Sequence, residues 1–312
     1  MQFEPLSERD LLAKGIEIAE TIVGWCNLPR DKMHKYFSIS DLDYKDTNNV
    51  TRKIDELCHN YAVLTLKQHF GEKIHIYGEE ARTPASLKNS NLTVALIDAM
   101  DGTDLVARGF SNWCTAIIFF HPKQRKILTS IVGHNSGYIY YANSDGAFKK
   151  FTKESISKGK SLKRSPDKES LTLEHASVCF YGQKPKNFLS VVDGAGSSFL
   201  QKIKEFRETM SDKKKRKGKK LHFRLYNFGG NPMIVKVPER TVDAVFDLSG
   251  QKPHDVIPGA YIAMKAGAIF TDLKGKPIDL IEPLLEPHKK LIYILAANHQ
   301  LKDELIKCID MP

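Results

Sequence analysis

Four carboxylates stand where apolar runs give way to loops or helices. Glu79 follows "KIHIYG" (73–78), Asp98 ends "LTVALID" (92–98), Asp101 lies in the turn three residues on, and Asp255 comes just before the helix-like "VIPGAYIAMKAG" (256–267). Acids at such ends can converge on one point. Gathered there, they repel one another unless a cation sits between them. A donor set made only of oxygens suits Mg²⁺ or Mn²⁺ rather than zinc, which takes His and Cys. Gly102 and Thr103 follow directly and open a predicted helix. The first N–H groups of a helix have no internal partner and attract phosphate. Cations beside such a terminus make a site for hydrolysing a phosphomonoester.

Each residue also has a plainer reading. An Asp-Gly pair usually makes a turn. Glu79 and Glu80 could simply be solvated, Asp255 could be only a helix cap, and His254 reads as a polar neighbour rather than a ligand. The order and spacing of the set carry the chemistry, not any single member.

The elements that must hold these residues can be read from periodicity. Ser7 and Asp10 resemble a capping box, and Leu12, Ile16, Ala19 and Val23 give helical spacing to about Trp25. A second helix is expected from about Asn49 to Phe70, with Ile54, Leu57, Cys58, Tyr61 and Leu64 on one face. Strands follow at 73–78, 92–98, 113–121, 127–135 and 137–143, a pattern of helices and then a meander that suggests an α+β half. The Ser/Lys-rich stretch 152–170 reads as a connection. Beyond it strands (175–182, 243–249, 268–272, 291–298) alternate with helices (197–210, 256–267, 299–309), an α/β pattern. The expected division is 1–150 and 151–312, two halves of one inseparable catalytic unit.

Bulk properties narrow the class. The chain has 312 residues, 41% of them hydrophobic, enough for a substantial core. No run of about 18 apolar residues suggests a membrane span, and the N-terminus does not read as a secretory signal. The five cysteines form no metal-type spacing and no disulfide framework, so a cytoplasmic location is expected. The net charge is +10, and "KKKRKGKK" (213–220) supplies seven positive charges of it. That tract reads as a solvated loop. It has no interleaved aromatics to stack bases, so a nucleic-acid partner is not expected, though a gate for anionic substrates is an alternative.

Taken together, "GEE" (78–80), "IDAMDGTD" (97–104) and "HDVIPGAYIAMKAGA" (254–268) resemble the inositol monophosphatase family. Its pattern is G-E-E, then D-P-I-D-G-T, then W-D-x-A-A-G with A-G-G following. "KDTNNVT" (45–51), "YIYYANSDGAF" (138–148), "AGAIFTDLKGKPIDL" (266–280) and "LAAN" (295–298) resemble further family segments, so the similarity spans nearly the whole chain.

The resemblance implies a five-layer αβαβα sandwich of the sugar phosphatase type, with the site between its halves. It implies two or three Mg²⁺ ions, replaceable by Mn²⁺, held by Glu79, Asp98, the main-chain carbonyl of Met100, Asp101 and Asp255. Thr103 and Glu79 would orient and help deprotonate the attacking water, and the amides of Gly102 and Thr103 would hold the phosphate. Lithium inhibition and a homodimer are further implications. The implied substrate is a small phosphate monoester, with inositol monophosphate first. Fructose 1,6-bisphosphate and 3′-phosphoadenosine 5′-phosphate are alternatives, and a different class is an RNA- or protein-binding member without turnover.

The chain departs from the pattern at several points. Ala99 replaces the Pro after the first Asp, and His254 replaces the Trp before the late Asp. Ile257-Pro258 replaces Ala-Ala, with Pro258 expected in a tolerant first helical turn. Asp55 lies four residues after Thr51 where the family has an acid at three, a rotation of about 100° on a helix, so its role as ligand of a third metal carries over weakly. The nearest match to the family's inositol-contacting acid is Asp247, eight residues before Asp255 rather than about seven.

If the basic tract is only a solvated loop, deleting 213–220 leaves KM unchanged for singly and doubly phosphorylated substrates. A KM raised selectively for doubly phosphorylated ones makes the tract an electrostatic gate.

Overall fold

The structure, a computed structural model, describes residues 6–28, 53–78, 87, 88, 90–166, 171–182, 184–192, 199–201, 203–205, 208 and 223–309. Helix α1 (Glu8–Cys26) starts at Ser7, whose hydroxyl accepts from Asp10 N at 3.0 Å. Helix α2 covers Lys53–Phe70. The first sheet has seven strands in chain order: β1 (Ile74–Gly78), β2 (Thr93–Asp101), β3 (Cys114–His121), β4 (Lys126–His134), β5 (Tyr138–Asn143), β6 (Gly146–Phe151) and β7 (Lys160–Ser161). Only β1 and β2 run parallel; the rest form an antiparallel meander. A short helix, α3 (Thr103–Arg108), leaves β2. The stretch expected to be a connection (152–170) therefore contains a short strand of the first sheet, β7.

The second sheet has the order β11-β12-β10-β8-β9. Its strands are β8 (Ser177–Phe180), β9 (Arg224–Tyr226), β10 (Ala244–Gln251), β11 (Ile269–Thr271) and β12 (Leu291–Ala296). Between and around them lie α4 (Pro185–Val192), α5 (Gly230–Ile234), α6 (Pro253–Lys265), α7 (Ile281–Leu285) and α8 (His299–Cys308). The described residues of the expected helix 197–210 are helical.

Strand alternation makes the layers. In β2, Ala95 and Ile97 pack with α1 and α2, while Val94 and Leu96 face the opposite core with Val256, Ile257 and Ala260 of α6. In β10, Val245 joins that same central core, and Ala244 and Phe246 turn outward to Leu301 and Leu305 of α8. The order is thus helices, sheet, helices, sheet, helices, which is the five-layer sandwich. All five cysteines are free and buried. Among the described residues no helix is long and apolar enough to cross a membrane.

Two expectations change. On α2 the buried stripe is Ile54, Cys58, Ala62 and Leu66, spaced by four, while Leu57 and Leu64 are 39% and 58% exposed. The predicted stripe was rotated, because apolar residues on the flank of the helix counted toward it. On α6 the helix begins at Pro253, not at 256. Pro suits the first helical position, and the Asp255 carboxylate accepts the Lys252 N–H at 3.0 Å, so the added turn is capped from within.

That earlier start puts Pro258 in the second turn, where its missing N–H would orphan the carbonyl of His254. Asn231 of α5 repairs the gap. Its Nδ2 donates to His254 O at 2.6 Å, and its Oδ1 accepts from Gly259 N at 2.8 Å. Asn231 is fully buried. Ser130 of β4 donates to Pro258 O at 2.9 Å, fastening the same turn to the first sheet. Asn231→Ala would leave a buried carbonyl and a buried N–H without these partners, at about 1–3 kcal/mol for each orphaned group. Denaturant unfolding should show a loss of about 3 kcal/mol. A loss within about 0.5 kcal/mol, as for an ordinary surface change, would contradict the bridging role.

Candidate active site

The site is built around the end of β2. Asp98 pairs with Ala116 of β3, but Asp101 pairs with Cys114, so three steps on β2 meet two on β3. This is a β-bulge. Residues three apart on a regular strand point to opposite faces, and one extra residue brings them to the same side. Thr115 Oγ1 donates to Ala99 O at 2.9 Å and Met100 N donates to Asp98 Oδ1 at 3.1 Å, which hold the bulged residues.

After the bulge the chain must turn sharply. Gly102 has φ +98°, and a Cβ there would come within 2.9 Å of Asn112 O. Both facts require glycine. Its carbonyl accepts from Leu105 N and Val106 N, starting α3. Thr103, the first residue of α3, has its hydroxyl 2.9 Å from Met100 O and 3.0 Å from Asp55 Oδ2. Asp55 comes from α2 and is 6% exposed. The sequence left Asp55 at an uncertain rotation; the structure places it against Thr103.

Asp255 arrives from the other half of the chain, on the first turn of α6. One carboxylate oxygen caps the helix, and Oδ1 lies 3.3 Å from Nε2 of His254. Ligating atoms of Asp98, His254 and Asp255 all lie within 4.8 Å of one another. Asp101 Oδ2 accepts from Asn231 N at 3.2 Å. Gly230 allows that approach, since a Cβ on it would sit 3.2 Å from the same oxygen. Asp98 and His254 are 2% and 1% exposed and form the floor; Asp101, Gly102, Thr103 and Asp255 are partly exposed at the mouth.

The buried thiol of Cys114 registers this convergence. Burial pushes its pKa up, and the charges of Asp101, Asp98 and Asp255 push it further. Three negative groups thus act on one desolvated point, a condition that a divalent cation relieves. Carboxylate oxygens are the donors that Mg²⁺ and Mn²⁺ take, so the residues fit such an ion.

The remaining expected residues fall as follows. Gly78, which precedes Glu79, pairs with Ile97 next to Asp98. Glu79 itself, "KDTNNVT" and the tract 213–220 lie outside the described residues. Asp247, on β10, is 1% exposed, and its oxygens accept from Ser249 N at 3.2 Å and Gly250 N at 2.7 Å. Burial raises its pKa to about 6, against the opposing pull of those two N–H groups. Asn231 and Gly230 were not singled out from the sequence. The available signal was "GGNP" ahead of a helical segment carrying an interior proline.

Solved structures share this fold. An IMPase of Thermotoga maritima superposes with a TM-score of 0.65 at 17% identity, covering 96% of each chain. The inositol monophosphate-bound IMPase-II of Staphylococcus aureus gives 0.65 at 15% identity, covering 96% of this chain and 93% of the other. A dual-specific IMPase/NADP phosphatase bound to D-inositol-1-phosphate gives 0.59 at 18% identity, covering 83% and 84%. Among curated protein sequences nothing matches. The statistical description of the inositol monophosphatase family matches residues 20–309, and the chain belongs to that family of phosphatases.

Proposed function

We propose that the enzyme hydrolyses a small, soluble phosphate monoester, inositol monophosphate first, in a reaction that depends on Mg²⁺. The observation that carries this reading is the gathering of Asp98, Asp101 and Asp255 about one buried point beside Gly102-Thr103. Two of the similar structures hold inositol phosphates, one of them an enzyme also named for NADP, so a nucleotide phosphate is the second substrate to try.

In this reading Asp98, Asp101, Asp255, the Met100 carbonyl and Glu79 hold two or three divalent ions. Bound there, the ions supply Lewis acidity toward phosphoryl oxygens and lower the pKa of water. The chain's own groups do the rest. Thr103 can give its single hydroxyl proton to Asp55, 3.0 Å away, which leaves a lone pair to accept from and orient a water molecule. Glu79 takes the proton of that water. The N–H groups of Gly102 and Thr103 meet the phosphate. Asp247 is the proposed substrate-contacting acid, and reaching a ligand would require it to exchange its bonds to Ser249 and Gly250. Residues from 1–150 and 151–312 both enter the site, so the halves act as one unit. The family resemblance adds a cytoplasmic homodimer inhibited by lithium.

The test is phosphate release from inositol 1-phosphate, fructose 1,6-bisphosphate, 3′-phosphoadenosine 5′-phosphate, NADP and an aryl phosphate, each with Mg²⁺, with EDTA and with lithium. Release from one of them that EDTA abolishes supports the reading; silence from all of them with Mg²⁺ bound overturns it. Asp98→Asn should lose at least ~100-fold in activity and lose the Mg²⁺-induced rise in Tm, and in EDTA it should melt no lower than the wild type, because one of the mutually repelling charges is gone. Near wild-type turnover would refute the ligand assignment. Thr103→Ala and Asp55→Asn should lower kcat by roughly 10- to 100-fold with Mg²⁺ affinity unchanged. An equal fall in affinity for Asp55→Asn would make Asp55 a metal ligand instead.

A further inference from the structure

His254 was expected to be only a polar neighbour. Its position offers a second reading. It sits beside Asp255 on the first turn of α6, is 1% exposed, and places a ring nitrogen among the oxygens of Asp98 and Asp255. The 3.3 Å between Nε2 and Asp255 Oδ1 is close to the ~3 Å that separates adjacent ligand atoms on an ion with bonds of about 2.1–2.3 Å. The backbone beneath the ring is held, since His254 O accepts from Asn231 and the turn is fastened to β4 through Pro258. An imidazole so placed reaches the site without a change of backbone.

The residue type matters for the ion. The family pattern has Trp here, and an indole has no nitrogen lone pair to give. Imidazole does, and it suits first-row transition ions, whereas Mg²⁺ keeps to oxygen and water. We propose that His254 supplies a nitrogen ligand to a cation position shared with Asp98 and Asp255, and that this position selects Mn²⁺ over Mg²⁺. The inference rests on the metal reading above and adds to it the identity of the preferred ion.

The experiment uses the full chain stripped with EDTA. Mn²⁺ and Mg²⁺ affinities are measured by titration and competition, and pulsed EPR on bound Mn²⁺ reads coupling to ligand ¹⁴N. His254→Gln and His254→Phe are compared with the wild type, with Tm in EDTA as the check on folding. Expected are histidine ¹⁴N coupling in the wild type, its loss in both variants, and at least a tenfold fall in the preference for Mn²⁺. Mn²⁺ bound without ¹⁴N coupling, or a preference unchanged in a folded variant, overturns the inference while the carboxylate site stands. Failure of the wild type to bind either ion overturns the metal reading as well. Should both variants unfold, His59→Gln decides, because His59 packs against Gly78 beside the same strand ends. Coupling that persists there belongs to His254; coupling lost there belongs to His59 and overturns the inference.

Discussion

Carboxylates forced together out of water repel, and that repulsion governs the design of this molecule. Asp98 is almost wholly buried, Asp101 is turned toward it by a β-bulge, and Asp255 is delivered from a helix more than 150 residues later in the chain. No fold gains stability from such a cluster by itself. A cation held between the carboxylates would neutralise the group, so in the proposed reading the cost of gathering them becomes affinity for metal. The catalytic potential of the site and its electrostatic strain are one property.

Holding the cluster requires rigid support from several directions. The bulge is pinned by Thr115 from β3, and the turn after it exists only because Gly102 can adopt a positive φ. On the other side, α6 carries Asp255 and His254 on a turn that Pro258 would otherwise loosen. Asn231 closes that turn with its side chain and touches Asp101 with its backbone N–H. One buried amide therefore links the helix between the sheets to the strand that bears the other acids. It also explains how a chain can replace Ala-Ala with Ile-Pro without losing the site.

Much of this was legible in the sequence, for identifiable reasons. β2 is buried on both faces, so its apolar run stood out, and the acids at its end were conspicuous against it. α1 carried its own cap. What could not be read was tertiary compensation. Nothing local tells that the D-x-x-D spacing at 98–101 hides a bulge, because the extra residue is defined only by its partner strand. Asn231 lies 27 residues before Pro258, too far for any local pattern to connect the two. On α2, Leu57 and Leu64 looked like core, yet the buried arc contains Asp55, a polar residue kept inside by its bond to Thr103. Short elements such as α5, α7 and β9 gave no period long enough to detect.

The central claim is that Asp98, Asp101 and Asp255 exist to share divalent cations. Crystals soaked in Mn²⁺, with anomalous diffraction measured at the manganese edge, test it most directly. The account predicts a strong peak bonded to oxygens of all three residues at about 2.0–2.6 Å. Ordered Mn²⁺ bound only elsewhere, with these three carboxylates well resolved and ion-free, would contradict it.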